Sequence, residues 1–207
     1  MAQFSLVLGT RNAKKRLELE YLLAPYDIQL KNLDQFPDAL EVEETGDTFQ
    51  QNAALKATIQ ARHLNQWVLG EDSGLSVSAL DGAPGVYSAR FSGTQATDTE
   101  NNALLLKRLS GVPLAKRTAW YACHMTLSDP QGNERINCFG CCYGRILMQE
   151  IGVAGFGYDP LFEIPEYHQT FGQLGNAVKG VLSHRARANR QFVPRLLEII
   201  ATGTEVQ

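Results

Sequence analysis

Apolar residues in this chain come in short blocks, and the spacing within each block predicts an element. Phe4-Ser5-Leu6-Val7-Leu8 is nearly continuous and predicts a buried strand. Gly9-Thr10-Arg11-Asn12 then turns into a helix with Leu19, Leu22 and Leu23 on one side and Pro25 at its end. Alternating Ile28, Leu30 and Leu33 give a weak strand. Thr48 and Gln51 form a capping box for an Ala-rich helix over about residues 49–63, with Leu55 and Ile59 turned inward. Val68-Leu69-Gly70 stops at Glu71-Asp72, where Ser73-Gly74 predicts a turn. Leu75, Val77 and Ala79 alternate as the next strand, up to the dense turn signal of Asp81-Gly82-Ala83-Pro84-Gly85. A second capping box, Thr97 with Glu100, opens a helix whose core face is Ala103, Leu105, Leu106 and Leu109, closed by Gly111 and Pro113. Residues Thr118 to Ser128 and Glu134 to Ile146 read as a long antiparallel hairpin around Asp129-Pro130-Gln131-Gly132-Asn133. A short strand covers 161–164. A basic cluster of Lys179, Ser183, His184, Arg185 and Arg187 opens the last helix, which Pro194 should kink or interrupt.

With 207 residues, 44% of them hydrophobic and 20% charged, the chain can bury a full core. It shows no repeat, linker or low-complexity tract, so one domain over 1–207 is expected, with room for two lobes. A net charge of −3 argues against duplex nucleic acid and anionic membrane as partners, so any phosphate must be held by local lysines and arginines. No apolar segment reaches membrane-spanning length. Cys123, Cys138, Cys141 and Cys142 fall within expected strands of the second half, which suits reduced thiols and a cytoplasmic protein.

Four stretches carry candidate chemistry. Glu71 and Asp72 at the mouth of a strand suggest a metal or proton-transfer site; side chains alternate along a strand, so one of the two would face its centre. The turn at Gly9–Asn12, followed by Lys14, Lys15 and Arg16, places free helix amides beside positive charge and suits phosphate. It is not a Walker loop, and Gly155 with Gly157 does not complete a dinucleotide fingerprint. Glu41, Glu43 and Glu44 crowd one turn and call for a cation, while Asn52 and Lys56 share a helical face. Gly155-Phe156-Gly157-Tyr158-Asp159-Pro160 could grip a planar ring, with an acid to accept from ring or ribose donors. Each stretch alone also fits a solvated face or a packed aromatic turn. Cys138-x-x-Cys141 lacks a second ligand pair for zinc.

Six motifs in order resemble the inosine triphosphate pyrophosphatase family over nearly the whole chain. They are Thr10-x-Asn12-x-x-Lys15-x-x-Glu18; Glu44-Thr45-Gly46-Asp47-Thr48-Phe49-x-x-Asn52-Ala53-x-x-Lys56-Ala57; Glu71-Asp72-Ser73-Gly74-Leu75; Gly82 through Arg90; Phe156-Gly157-Tyr158-Asp159-Pro160; and Lys179 with Ser183-His184-Arg185. Two departures are local. Many bacterial members carry two aspartates where Glu71-Asp72 stands, and the usual Lys-Asn is Lys179-Gly180, with Ala177 at a position often acidic.

The resemblance implies an α/β fold: an elongated mixed β-sheet with flanking helices, in two lobes around a nucleotide cleft, as a homodimer. It implies Mg²⁺-dependent hydrolysis of nonstandard purine nucleoside triphosphates (ITP, dITP, XTP) to the monophosphate and pyrophosphate. Glu44 and Asp72 would hold the metal, and Asp72 would also orient or deprotonate the attacking water, with Glu71 a secondary neighbour. Thr10, Arg11, Asn12, Lys15, Lys56 and Ser73 would bind the polyphosphate side. Phe156 would stack on the base within Gly157, Tyr158 and Asp159, and Lys179, His184 and Arg185 would offer donors to a 6-keto purine. The alternatives are a pyrophosphatase for another modified nucleotide, as in the septum-inhibitor-like family, a silent purine-nucleotide sensor, and last a zinc-binding module on the cysteines.

Overall fold

Strand β1 (Phe4–Leu8) is covered on both faces from Leu6 to Leu8, which explains its nearly continuous apolar run. Leu6 and Leu8 pack with Leu19 and Leu23 of helix α1 (Ala13–Leu23) and with Phe192 and Leu196 of helix α5 (His184–Ala201), while Val7 packs with Leu33 and Ala61. Strands β2 (Ile28–Asn32) and β3 (Val68–Val77) lie parallel to β1 on either side, in the registers Phe4↔Ile28 and Val7↔Val68. With β4 (Thr118–Ser128), β5 (Glu134–Ile146), β6 (Phe162–Ile164) and β7 (Gln169–Thr170) they form a mixed seven-stranded sheet in the order β2-β1-β3-β4-β5-β6-β7; β6 runs antiparallel to β5 and β7. This computed structural model describes residues 3–202, so the outermost ends of the expected 1–207 domain lie outside the described residues. The chain divides into two compact units. One comprises the residues up to Asp72, Cys123–Gly140 and those from Arg185 on; the other comprises Ser73–Ala122 and Cys141–His184.

In the first unit, helix α2 (Phe49–Leu64) begins at the expected capping box of Thr48 and Gln51, an arrangement that contributes about 1 kcal/mol. Its buried face differs from the expected one. Asn52, Ala53, Ala57, Gln60 and Ala61 are buried, whereas Leu55 is partly covered and Ile59 is exposed. The cause lies on β3, where a Cβ added to Gly70 would sit 2.2 Å from the Ala53 carbonyl oxygen and 2.6 Å from the Ala57 nitrogen. Helix and strand approach too closely there for a leucine. The turn expected at Ser73-Gly74 is absent, and β3 runs unbroken for ten residues. As a central strand between β1 and β4 it has ladder partners on both sides, which overrides local turn preference. The strand ends at Val77, with Ser78–Leu80 already a 3₁₀ turn. The hairpin strands β4 and β5 keep their expected bounds. Asp129 ties their turn by accepting from the amides of Gln131 (3.0 Å) and Asn133 (2.9 Å) and from Arg135 (3.2 Å).

In the second unit, Leu75, Leu105, Tyr121, Ile146, Phe162 and Phe171 belong to one core cluster. Helix α3 (Asp98–Arg108) starts at its Thr97–Glu100 capping box; it buries Asn101, Asn102 and Leu105, with Leu109 just beyond, and leaves Ala103 exposed, contrary to expectation. The Arg117 guanidinium donates to the carbonyls of Leu109, Val112 and Leu147, closing the end of α3. Helix α4 (Phe171–Leu182), which the sequence pattern does not predict, breaks at Gly175 (φ 74°, ψ 178°), and its second part carries Lys179, which therefore does not open the last helix. Helix α5 starts at His184 and passes Pro194 without interruption.

Candidate functional site

The pairing of β1 with β3 reaches Leu8 and Leu69, after which β1 ends and β3 continues. Glu71 and Asp72 thus lie beyond the carboxyl end of β1, where parallel α/β sheets place their ligand sites. Strand alternation sends the two acids to opposite faces, so both are used. Glu71, 1% exposed, accepts from Arg185 Nη2 of α5 at 2.9 Å and from the Cys123 thiol at 3.3 Å. Asp72, 5% exposed, accepts from Asn52 Nδ2 at 3.3 Å and Lys56 Nζ at 3.0 Å, both on α2. Lys15 Nζ spans the two faces, 3.3 Å from Glu71 and 3.8 Å from Asp72.

Two further acids extend this arrangement. Arg185 also donates to Glu18 on α1, and Lys56 Nζ donates to Glu44 at 2.9 Å. The result is an alternating series within the first unit: Glu18, Arg185, Glu71, Lys15, Asp72, Lys56, Glu44. Burial acts to lower the Lys56 pKa, but the charges of Asp72, Glu44 and Glu71 outweigh it and hold the group above an ordinary lysine. Arg185 is likewise raised: burial opposes its charge, and Glu71 and Glu18 more than compensate. Burial beside Glu71 pushes the Cys123 thiol well up, leaving it an inert packing group.

The turn before α1 differs from expectation in one respect. Asn12 caps the helix by accepting from the amides of Lys14 (3.0 Å) and Lys15 (3.2 Å), and its own amide donates to Thr10 Oγ1 at 3.1 Å. Those helix amides are therefore taken by the cap, and positive charge reaches the acids through the Lys15 side chain. Arg11 donates to the Ala39 carbonyl. Asn52, fully buried, accepts from the Gly46 amide at 2.8 Å and so fixes the Glu44 loop relative to Asp72.

Among the described residues, no group of three or more His, Cys, Asp or Glu side chains forms a ready metal cage. Two carboxylates converging on one ammonium nevertheless fit Mg²⁺, which binds through one or two carboxylates plus substrate phosphates and keeps several waters.

A second cluster lies in the other unit, on the 155–160 loop. Phe156 is half-buried, and the Lys179 ammonium covers one face of its ring, 4.2 Å from the centroid. Lys179 Nζ donates to Asp159 at 2.6 Å, the same carboxylate takes the Phe156 amide at 2.9 Å, and Tyr121 reaches it at 3.4 Å. Asp159, expected from its sequence context to accept from ring or ribose donors, thus holds the loop and its lysine. His184 stacks on Tyr121 with centroids 4.8 Å apart and planes 11° apart. The Tyr158 hydroxyl donates to the Ser88 carbonyl at 2.8 Å; its pKa is raised, by burial first and then by Asp98. Arg185 follows His184 in sequence, yet its guanidinium is engaged by the acids of the first unit.

A model of the Ham1 family matches residues 6–195. A dITP/XTP pyrophosphatase of Rhodopirellula baltica is 55% identical over 201 residues, covering 97% of both chains. A HAM1 protein from Coxiella burnetii has a solved structure with a TM-score of 0.86 at 34% identity, covering 94% of this chain and 99% of its own. The solved nucleoside-triphosphatase / dITP/XTP pyrophosphatase of Mycobacterium abscessus gives 0.75 at 37% identity, over 92% and 100%. The resemblance carried by the six motifs therefore holds along almost the full sequence, and the chain belongs to the Ham1 family.

Proposed function

We propose that the protein hydrolyses nonstandard purine nucleoside triphosphates, dITP, XTP and ITP, to the nucleoside monophosphate and pyrophosphate. The observation that supports this most is the convergence of Glu44 and Asp72 on the Lys56 ammonium, with Lys15 beside Asp72. Asp72 orients the attacking water and accepts its proton at a carboxylate oxygen. Lys15 and Lys56 neutralise the polyphosphate and the charge that develops during attack, with Thr10, Arg11, Asn12 and Ser73 lining its path. Glu44 and Asp72 would hold Mg²⁺, which when bound supplies further positive charge to the phosphate oxygens.

In the second unit, Phe156 stacks on the base with the ring face opposite Lys179. Lys179, on the far face of that ring, steadies Phe156 and does not meet the base, His184 provides a donor suited to a keto group, and Gly157, Tyr158 and Asp159 keep the ring in place. Arg185, paired with Glu18 and Glu71, acts on the acids and has no direct part in reading the base. A homodimer in the cytoplasm completes the proposal.

The test is a panel of nucleoside triphosphates with Mg²⁺, scoring pyrophosphate against orthophosphate. Pyrophosphate equal to monophosphate is expected, with dITP and XTP favoured over dATP by roughly 10²-fold or more, since adenine sets a donor against a donor. Orthophosphate as the first product would overturn the reading.

A further inference from the structure

Helix α3 looks purely structural from its sequence, yet two of its side chains hold the main chain of the 155–160 loop. The Gly157 amide donates to Asp98 Oδ2 at 3.0 Å, and Asn102 Nδ2 donates to the Gly157 carbonyl at 3.2 Å. Asp98 and Asn102 are four apart, so they share one helical face, and together they take both polar groups of one residue. That residue has φ +62°, a left-handed conformation that glycine adopts at little cost. The adjacent Phe156 amide is taken by Asp159. The main chain on either side of the Phe156 ring is thus pinned at successive positions.

The post itself is rigid. Leu105 and Leu109 are fully buried in the core of this unit, and Asn101 accepts from the Ser92 amide at 2.9 Å. Loops that carry binding residues are ordinarily the mobile parts of a fold, so three main-chain hydrogen bonds within two residues point to a need for fixed ring placement.

We propose that Asp98 and Asn102 are positioning residues that act through Gly157 on Phe156, and so set affinity and selectivity for the purine base. This rests on the reading of Phe156 as the base-stacking residue. The experiment measures kcat and KM for dITP and dATP in wild type, Phe156→Ala, Asp98→Ala, Asp98→Asn and Asn102→Asp, alongside thermal unfolding. Asn102→Asp sets a carboxylate against the Gly157 carbonyl; Asp98→Asn keeps an acceptor for the amide.

The expected result is a KM for dITP raised ~10-fold in Phe156→Ala, Asp98→Ala and Asn102→Asp, the scale of partly lost base stacking. Their kcat stays near wild type, the preference over dATP narrows, and Asp98→Asn restores most of the loss. If Phe156→Ala raises KM while the α3 variants do not, the inference falls and the stacking role stands. If Phe156→Ala leaves KM unchanged, the stacking reading fails and takes the inference with it. Parallel losses in kcat, KM and melting temperature, without rescue by Asp98→Asn, would show a merely structural helix and overturn it. Should Asn102→Asp fail to fold, the two Asp98 variants decide by the same criteria.

Discussion

Lys56, partly buried, and Lys179, buried, are both held against carboxylates, but their surroundings differ in kind. Lys56 sits between Glu44 and Asp72 in a series whose four acids, Glu18, Glu71, Asp72 and Glu44, exceed its three cations, Arg185, Lys15 and Lys56. Lys179 balances one acid, Asp159, and lies over an aromatic ring. The first arrangement has more acids than cations, which suits the proposed exchange of partners for a cation and an anionic ligand. The second pairs its lysine with a single carboxylate and is fixed by main-chain hydrogen bonds. One half is organised for charge and the other for shape, so equivalent substitutions should harm different kinetic constants.

The largest effect tests the charged half. Asp72→Asn removes the proposed proton acceptor, and pyrophosphate release should fall ~10³-fold while nucleotide binding stays measurable by calorimetry. Turnover near wild type would remove Asp72 from the chemistry.

The same change made at both lysines sharpens the contrast. Lys56→Met should lower kcat ~10²-fold, as loss of one preorganised donor to developing charge does. Lys179→Met should leave kcat within a few-fold and raise KM for dITP ~10-fold, the cost of weakened base contact. Steady-state kinetics on both variants would erase the distinction if their losses fell on the same constant.

The smallest effect belongs to a position remote from either reading. Burial pushes the Asp129 carboxyl up, but hydrogen bonds from Asn133, Arg135 and Gln131 outweigh it and hold the group below its usual 3.8. Because the folded-state pKa is the lower one, this stabilisation is complete above 3.8 and is lost as pH falls through the folded value. Asp129→Asn should cost about 1 kcal/mol in urea unfolding at pH 7. The gap from wild type should close at strongly acid pH, with kcat and KM unchanged at neutrality.

How much of this could be read in advance depends on how local the signal is. Two capping boxes, the hairpin and the first strand are legible because a few neighbouring residues determine them. Helix α4 hides behind Gly172, Gly175 and Gly180, which depress helix propensity, although Thr170 with Gln173 repeats the capping pattern already used twice. The apolar pattern points the inward face of α2 at Leu55 and Ile59, whereas contact with Gly70 demands alanines. Glu71 and Asp72 are conspicuous in the sequence; their division between two faces, joined by Lys15, is a tertiary fact. Asn102 and Asp98 look like ordinary helix polar groups until the 155–160 loop is seen against them.

Gly70 gives the charged half a property that no side chain supplies. Because nothing projects from that position, the α2 backbone rests directly on β3, one residue from Glu71 and two from Asp72, with Lys56 next to Ala57. The spacing of the two main chains that carry Lys56 and Asp72 is consequently set by bare backbone contact, which leaves little freedom to drift. Attempts to thermostabilise this enzyme by filling space would have to leave that seam alone, since a single added methyl there would move Lys56 and Asp72 apart before it strengthened anything.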